Sequence, residues 1–225
     1  SSDLAASSLV NTQSAPISAK VSYKFPARDN LPYCQLPELE LTWYDGGLMP
    51  SRPYNLPEDA PMNPGGGFML VGSEAILIAE DYGKNWKTYR NGSCFIPEVK
   101  VDLKRIPDNP LGGGRHEMHF VDCCKNGGQP SSDFSYAGPF NEMVVMGNLG
   151  IRLQSLQKTL LWDSEKMQVT NISPNEELTT AELTPFSSDI VTRSVEQKSQ
   201  KWIKWNALNM CEQWIKHNYR PGWNL

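Results

Sequence analysis

Two stretches near the amino end of the chain alternate apolar and polar side chains, which is the pattern of a half-buried β-strand. Residues 17–25 carry an apolar side chain at every second position, and residues 38–44 repeat the alternation after a proline-containing connection. We predict that the two strands pair antiparallel, with lysines of the first facing glutamates of the second across the polar side.

Two further pairs of short apolar runs predict β-hairpins. The first pair comprises residues 68–71 and 75–79, and the second comprises residues 160–163 and 167–170. Residues 80–111 are polar, contain three prolines and show little periodicity. We therefore expect loops between positions 80 and 111.

Helical spacing of apolar side chains begins after the glycines at positions 112–114. We predict that the first helix ends at Asn126, because Gly127 and Gly128 form a typical carboxyl-terminal stop. A long segment, residues 188–217, carries an apolar stripe that also predicts a helix.

A stronger helix is predicted from Gly138 and Pro139 onward, because proline suits the first turn of a helix. Gly147 and Gly150 fall inside this helix. Each glycine there costs roughly 1 kcal/mol relative to alanine. We therefore predict that the helix packs closely on something flat, such as a sheet.

The order of these elements favours an α+β architecture, an open, largely antiparallel or mixed sheet with helices packed on one face. We expect a single domain over residues 1–225. Residues 1–16 are expected to be flexible, and residues 172–218 are expected to form a divergent helical segment.

The composition is that of an ordinary globular protein, with 39% hydrophobic and 20% charged residues among 225. A net charge of -4 gives no electrostatic footprint for nucleic acid. No apolar run reaches the length of about 18 residues that a bilayer span requires. We therefore expect neither a nucleic acid nor a membrane as a partner, and small molecules or proteins instead.

The five cysteines are odd in number and irregularly spaced, so reduced thiols are favoured over a disulfide framework. The polar amino end does not have the pattern of a signal peptide. An exported origin stays open, because a processed protein would have lost such a signal. The compartment, cytoplasmic or periplasmic, is therefore not assigned.

The most informative stretch is WYDGGLMP at residues 43–50, which closes the second strand and opens a proline-rich loop. Gly46 and Gly47 allow a substrate or a neighbouring domain to approach the backbone closely. We favour a turn in which Asp45 bonds its own backbone over direct contact of Asp45 with a sugar.

Trp43 and Tyr44 point to opposite faces of their strand, so at most one is a core residue and the other is available for stacking on a sugar. Arg52 lies in the proline-rich loop. Its guanidinium suits a carboxylate or a hydroxyl, although a solvated arginine is favoured.

His116, His119 and Cys123 have the spacing i, i+3 and i+7, which places three zinc-ligand types on one helix face. A mononuclear zinc site needs at least one more ligand, so this reading is an alternative. We favour His116 at a pocket edge or domain interface, with Cys123 or Cys124 in the core.

Short motifs follow one another through the carboxyl half of the chain. They read HEMHFVDCCKNG at 116–127, DFSYAGPFNE at 133–142, GNLGIR at 147–152, LWD at 161–163, VTN at 169–171 and YRPGW at 219–223. Together with WYDGGLMP and with FMLVG at 68–72, the series resembles the carboxyl-terminal domain of the Gfo/Idh/MocA oxidoreductases. These are the relatives of glucose-fructose oxidoreductase and inositol dehydrogenase.

The resemblance implies a two-domain enzyme whose amino-terminal Rossmann domain holds NAD or NADP. The sheet domain of such enzymes covers the nicotinamide, shapes the sugar pocket and often mediates oligomers. The glycines of this chain do not form the G-x-G-x-x-G pattern between a strand and a helix. We therefore expect no cofactor bound by this chain and no catalytic residue within it. The candidate substrate-binding residues are Trp43, Tyr44, Asp45, Arg52 and His116.

The expected function is that of a substrate-pocket and oligomerisation domain in an NAD(P)-dependent oxidoreductase acting on a sugar or sugar derivative, inert alone. The expected partners are the Rossmann domain of the same protein, a sugar-like small molecule and a second copy bound through the sheet. A non-catalytic carbohydrate-binding or scaffold module is the first alternative. A zinc-binding domain is the second.

Overall fold

The computed structural model describes residues 2–8, 10–11, 14–29, 36–98, 115–182 and 201–216. Within these ranges three α-helices and eleven strands form, and the strands pair antiparallel in four sheets. The predicted α+β class is confirmed, with the strands distributed over several sheets.

In chain order the elements are β1 (Ser2–Ser7), β2 (Ala19–Phe25), β3 (Leu39–Tyr44), β4 (Phe68–Val71), β5 (Ile76–Ala79), β6 (Lys87–Arg90), β7 (Ser93–Phe95), α1 (Arg115–Asn126), α2 (Phe134–Arg152), β8 (Trp162–Asp163), β9 (Gln168–Val169), β10 (Glu177–Ala181), β11 (Trp202–Asn206) and α3 (Ala207–Ile215). The chain divides into two compact units. The first unit contains the residues up to Leu48 together with those from Phe134 onward, and the second unit is Met49–Asp133.

The first unit is built on a three-stranded sheet in which β2 lies between β1 and β3. The register places Val21 opposite Trp43 on the apolar face and Lys24 opposite Glu40 on the polar face. The predicted antiparallel pairing, including a lysine that faces a glutamate, is confirmed.

Strand β1 occupies part of the segment 1–16, for which we expected flexibility. Ser7 lies opposite Ala19 of β2, and its backbone N–H donates to Gln154 Oε1 at 3.0 Å. The Gln154 amide donates back to Ser7 Oγ at 2.7 Å. The expectation is corrected for β1, because the edge of β2 supplies backbone partners that a polar sequence does not reveal.

Helix α2 packs on β1 and β2, and Gly147 and Gly150 are among its buried residues. A Cβ atom added at Gly147 would lie 2.3 Å from the hydroxyl oxygen of Tyr23 in β2. The predicted close packing of this helix on a sheet is confirmed.

The helix begins earlier than the predicted start at Gly138 and Pro139. It begins at Phe134, which places Pro139 in its second turn. A proline at that position removes one helical hydrogen bond, and the later turns are stabilised by packing on the sheet.

The predicted hairpin between residues 160 and 170 is confirmed by the pairing of Trp162 with Val169. A second two-stranded sheet pairs β10 with β11, with Leu178 opposite Trp205. Burial alternates along β11, which is typical of a strand with one covered face.

Part of the predicted helical segment 172–218 is therefore wrong. Strands β10 and β11 lie within it, and the described part of the predicted helix 188–217 is helical only in α3. The apolar side chains of β11 fit both periods over five residues, and pairing with β10 decides for the strand. Residues 183–200, and 217–225 with the YRPGW motif, lie outside the described residues.

Helix α3 starts where Asn206 caps it, because the Asn206 side-chain oxygen accepts from Asn209 N at 2.9 Å. The main core of the first unit forms where α3 meets the carboxyl end of α2 and the short strands. Its buried residues are Leu149, Leu153, Leu160, Val169, Ile172, Leu178, Ala207 and Cys211. Burial raises the pKa of the Cys211 thiol to about 11.

The described cysteines are free thiols. Cys94 and Cys124 are exposed, Cys123 is half-buried and Cys211 is buried. Cys34 lies outside the described residues.

A half-buried ion pair joins the segment before β10 to the loop that follows α2. Lys158 Nζ donates to Glu176 Oε2 at 2.6 Å and to the Asn171 carbonyl at 2.6 Å. The Lys158 bond, followed by one from Ser173 N–H, lowers the pKa of the Glu176 carboxyl. Such a carboxylate stabilises the fold above its unfolded pKa, and this stability is lost as the pH falls through its folded pKa.

We expect Glu176→Gln to lower the free energy of unfolding by about 1 kcal/mol at neutral pH. The difference from the wild type should shrink as the pH falls through the folded pKa of Glu176, because the wild-type carboxyl then becomes protonated as well. Chemical denaturation over a series of pH values measures this. Glu177→Gln is the matched control, because the Glu177 pair with Lys204 is exposed and should leave stability unchanged. Equal losses of stability in the two variants would contradict a stabilising role for the ion pair of Glu176 with Lys158.

The second unit contains a four-stranded antiparallel meander in the order β4, β5, β6, β7. The predicted hairpin of β4 and β5 is confirmed, with Gly72 N–H donating to the Ala75 carbonyl at 2.9 Å. Strands β6 and β7 correct the expectation of loops over residues 80–111. They form a hairpin in which Arg90 lies opposite Ser93. Residues 99–111 lie outside the described residues.

Helix α1 ends at Asn126, as predicted, with Gly127 at a φ of 79° and its N–H donating to the Cys123 carbonyl. In the described part of the chain no helix is both long and apolar enough to cross a membrane.

Candidate functional site

The turn that follows β3 is fixed to the neighbouring strand by Asp45. The Asp45 carboxylate accepts from Ala19 N–H at 2.7 Å, and Asp45 N–H donates to the Ala19 carbonyl at 3.0 Å. Leu48 N–H closes the turn by donating to the Asp45 carbonyl at 3.2 Å. The predicted turn is confirmed, but its aspartate bonds the first residue of β2 rather than its own backbone.

The two glycines of this turn have different surroundings. Gly46 has a φ of 63°, and a Cβ atom there would lie 2.1 Å from the Ile17 carbonyl oxygen and 2.4 Å from Ser18 Cα. Gly47 has a φ of 86°, and no described atom lies within 4 Å of its Cβ position. We expected a substrate or another domain to approach this backbone. At Gly46 the chain itself fills that space.

Trp43 and Tyr44 project to opposite faces of β3, as predicted, and differ in exposure. Trp43 lies opposite the buried Val21, yet 59% of its surface is exposed. Helix α2 packs mainly on β1 and β2, so the end of β3 extends beyond its cover. Tyr44 is half-buried, and Lys20 Nζ lies 5.5 Å from its ring centroid. Of the two rings, Trp43 is therefore the one that is largely open to solvent.

Arg52 bonds to backbone carbonyls of its own proline-rich loop. Its guanidinium donates to the Pro57 carbonyl at 2.7 Å and to the Ala60 carbonyl at 3.1 Å. The loop also contains two tight turns, because the Pro57 carbonyl accepts from Ala60 N–H and the Pro53 carbonyl accepts from Leu56 N–H. Arg52 is exposed, and its two hydrogen bonds connect its side chain to two carbonyl groups of the loop.

His116 and His119 meet at Ser131, beyond the end of α1. Their Nδ1 atoms lie 3.2 Å and 3.3 Å from Ser131 Oγ, and Ser131 N–H donates to His119 Nδ1 at 3.2 Å. A neutral His119 therefore carries its proton on Nε2. Among the described residues no three histidine, cysteine or acidic side chains converge as metal ligands, so Cys123 does not complete a site here.

The five predicted site residues do not form one cluster within either unit. Trp43, Tyr44 and Asp45 lie together in the first unit, whereas Arg52 and His116 belong to the second.

The first unit contains a cleft that the sequence patterns did not predict. Its polar lining includes Asn11, Ser14, Asn148 and Arg152. The available signal was the i, i+4 spacing of Asn148 and Arg152 in the GNLGIR motif, which places both side chains on one helix face. The loop that completes the cleft carries no comparable signal.

Trp43 and Asp45 differ in what they offer to a ligand. Trp43 offers an apolar ring with an N–H donor, and the carboxylate of Asp45 is occupied by the backbone of β2. No family model and no curated protein matches this chain.

Proposed function

We propose that this chain is the sheet domain of an NAD(P)-dependent oxidoreductase of the Gfo/Idh/MocA type, and that Trp43 forms part of the wall of its sugar pocket. The observation that carries the proposal is the exposure of the indole at 59% of its surface, beside a turn that is bonded to the sheet. Exposed aromatic rings that are held rigidly bind the apolar faces of sugars with little loss of conformational entropy.

The turn supports this role because it fixes the strand end that carries Trp43. Asp45 makes two hydrogen bonds to Ala19, and Gly46 packs directly against Ile17 and Ser18. The backbone on both sides of Trp43 is thus held before any ligand arrives, so little binding energy is lost in ordering it.

The reaction itself belongs to a partner in this proposal. Hydride transfer needs a bound nicotinamide and a group that moves the alcohol proton. A Rossmann domain of the same protein supplies both, while this chain orients the sugar. Self-association through the open sheet of β1, β2 and β3 is part of the same proposal.

Sugar binding by the chain alone tests the role of Trp43. We expect a neutral monosaccharide or cyclitol, such as glucose or inositol, to bind in the millimolar range. Trp43→Ala should weaken this binding about three- to tenfold, the value of one aromatic contact. Calorimetric titration measures the change. Trp202→Ala is the matched control, since Trp202 is 56% exposed and also lies on a strand of the first unit. Equal sugar affinities of the wild type and the Trp43 variant would show that Trp43 does not contact the sugar.

Titration with NAD and NADP tests whether the cofactor site lies outside this chain. We expect no tight binding by this chain, because its glycines do not form a dinucleotide fingerprint. A dissociation constant near about 1 µM would contradict the proposal.

A carbohydrate-binding module without an enzyme partner is the second candidate, because the exposed Trp43 serves it equally well. The reading frame that precedes Ser1 distinguishes the oxidoreductase from the module. A strand–GxGxxG–helix unit encoded there supports the oxidoreductase, and its absence supports the module.

A further inference from the structure

A cleft of about 250 Å³ lies in the first unit, between the connection from β1 to β2 and the last turns of α2. One wall consists of the loop residues Asn11 and Ser14, and the other consists of Asn148, Ile151 and Arg152 of α2. This volume is slightly below the roughly 300–1,000 Å³ of pockets for drug-sized ligands, so a ligand of monosaccharide size fits.

The loop wall is fixed from two sides. The Val10 carbonyl accepts from Ala181 N–H at 2.9 Å, which ties the loop to the end of β10. Asn11 is only 7% exposed, and its side-chain oxygen accepts from Ser14 N–H at 2.7 Å. The side chains of Asn11 and Ser14 are therefore fixed by hydrogen bonds to one another.

The helix wall presents its polar groups at i and i+4, where side chains share one face. Asn148 is exposed, and Arg152 lies in the last turn of α2. The Arg152 guanidinium carbon lies 5.0 Å from the ring centroid of Trp214 in α3. Stacking on the ring uses the flat face of the guanidinium group, whereas its N–H groups donate hydrogen bonds from the edge of the plane. The contact with Trp214 therefore leaves N–H donors for a ligand.

Charge decides the class of ligand. Arg152 is the one ionised side chain among the residues that line the cleft, and no described carboxylate pairs with it. The other polar groups are amides and a hydroxyl, which bind hydroxyl groups, and apolar side chains complete the walls.

We propose that this cleft binds a small hydroxy-carboxylate, such as an aldonic or uronic acid. Arg152 holds the carboxylate through charge-assisted hydrogen bonds. Asn148 and Ser14 bind the neighbouring hydroxyl groups. The site is separate from the Trp43 surface and does not depend on the proposed enzymatic role.

Calorimetric titration of the whole chain with gluconate, glucose and acetate tests the proposal. We expect gluconate to bind at least about tenfold more tightly than glucose, because an ionic hydrogen bond contributes more than a neutral one. Gluconate should also exceed acetate, which offers the charge without hydroxyl groups. The gluconate affinity should fall with added salt.

Arg152→Met should weaken gluconate binding about tenfold or more, while the apolar stem keeps its packing on Trp214. Asn148→Leu is a second variant, because this exposed helix position tolerates substitution while the larger apolar side chain blocks the cleft. Arg90→Met is the control, since Arg90 is an exposed arginine of the second unit and should change nothing. Thermal unfolding of each variant verifies the fold.

Several outcomes would overturn the proposal. These are no gluconate binding up to about 50 mM, equal binding of gluconate and glucose or of gluconate and acetate, and unchanged affinity in both cleft variants. Loss of gluconate binding in Trp43→Ala would place the ligand at the Trp43 surface instead. That last result would contradict ligand binding in the cleft without contradicting the proposed function.

Discussion

Substitution of Gly46 by alanine should destabilise the protein by about 3 kcal/mol or more, placing it among the most damaging single changes available to the chain. Two costs add. A non-glycine residue at a φ of 63° is strained, typically by about 1 kcal/mol or more. The new Cβ would also lie 2.1 Å from the Ile17 carbonyl oxygen and 2.4 Å from Ser18 Cα. Both atoms belong to the backbone, so relief requires the turn to move away from β2.

That movement would break the two hydrogen bonds between Asp45 and Ala19. We therefore expect the folded fraction of the variant to bind sugar more weakly, since the strand end that carries Trp43 loses its support. Urea denaturation followed by circular dichroism measures the stability change.

Gly47→Ala is the matched control for this prediction. Gly47 has a φ of 86°, but its Cβ position meets no described atom within 4 Å. Only the backbone strain remains, so we expect a loss of about 1 kcal/mol. Equal losses for the two variants would show that the contact with Ile17 and Ser18 does not matter.

Substitution of Gly147 by alanine is the second large expected effect. Alanine improves helix propensity by about 1 kcal/mol, so an uncrowded position would gain stability. At Gly147 the added Cβ would lie 2.3 Å from the hydroxyl oxygen of Tyr23, a side chain that is only 6% exposed. We expect a net loss of about 2 kcal/mol, because α2 must lift from the sheet or the buried ring must turn.

A double-mutant cycle isolates the cause. The clash involves the hydroxyl oxygen, since the next atom of Tyr23, Cζ, lies at an ordinary 3.6 Å. Tyr23→Phe should therefore recover the loss, and Gly147→Ala should be neutral or slightly stabilising in that background. Guanidinium denaturation of the four proteins gives the coupling energy. Additive effects would contradict the packing of α2 against Tyr23.

Much of the fold could be predicted where the hydrophobic pattern repeats over several residues. The alternation in β2 and β3 predicted their pairing, and Gly147 and Gly150 predicted the close approach of a helix to a sheet. In both cases a local requirement, a covered face or an absent side chain, determines the structure.

The failures have identifiable physical causes. Strand β11 fits both periods over its five residues, and its partner β10 lies more than twenty residues earlier in the chain. Strands β6 and β7 are short and polar, although Asn91 and Gly92 between them are a strong hairpin signal. That dipeptide would have located the hairpin.

Less of the site could be predicted. The turn at Asp45 follows from its glycines, but the choice of Ala19 as partner follows from the strand register. Arg52 binds carbonyl groups whose positions depend on the conformation of a proline-rich loop. The cleft beside Arg152 combines segments that are more than a hundred residues apart, so no local pattern indicates it.

The central claim, that Trp43 contacts a sugar, is tested most directly by the indole N–H signals of the seven tryptophans in a nuclear magnetic resonance titration. Comparison with the Trp43 and Trp202 variants assigns the two signals that matter. During titration with a neutral monosaccharide, the Trp43 signal should shift in a saturable manner while the Trp202 signal stays in place. Two results would contradict the account. One is binding of the sugar without movement of the Trp43 signal, and the other is no binding of the sugar at all.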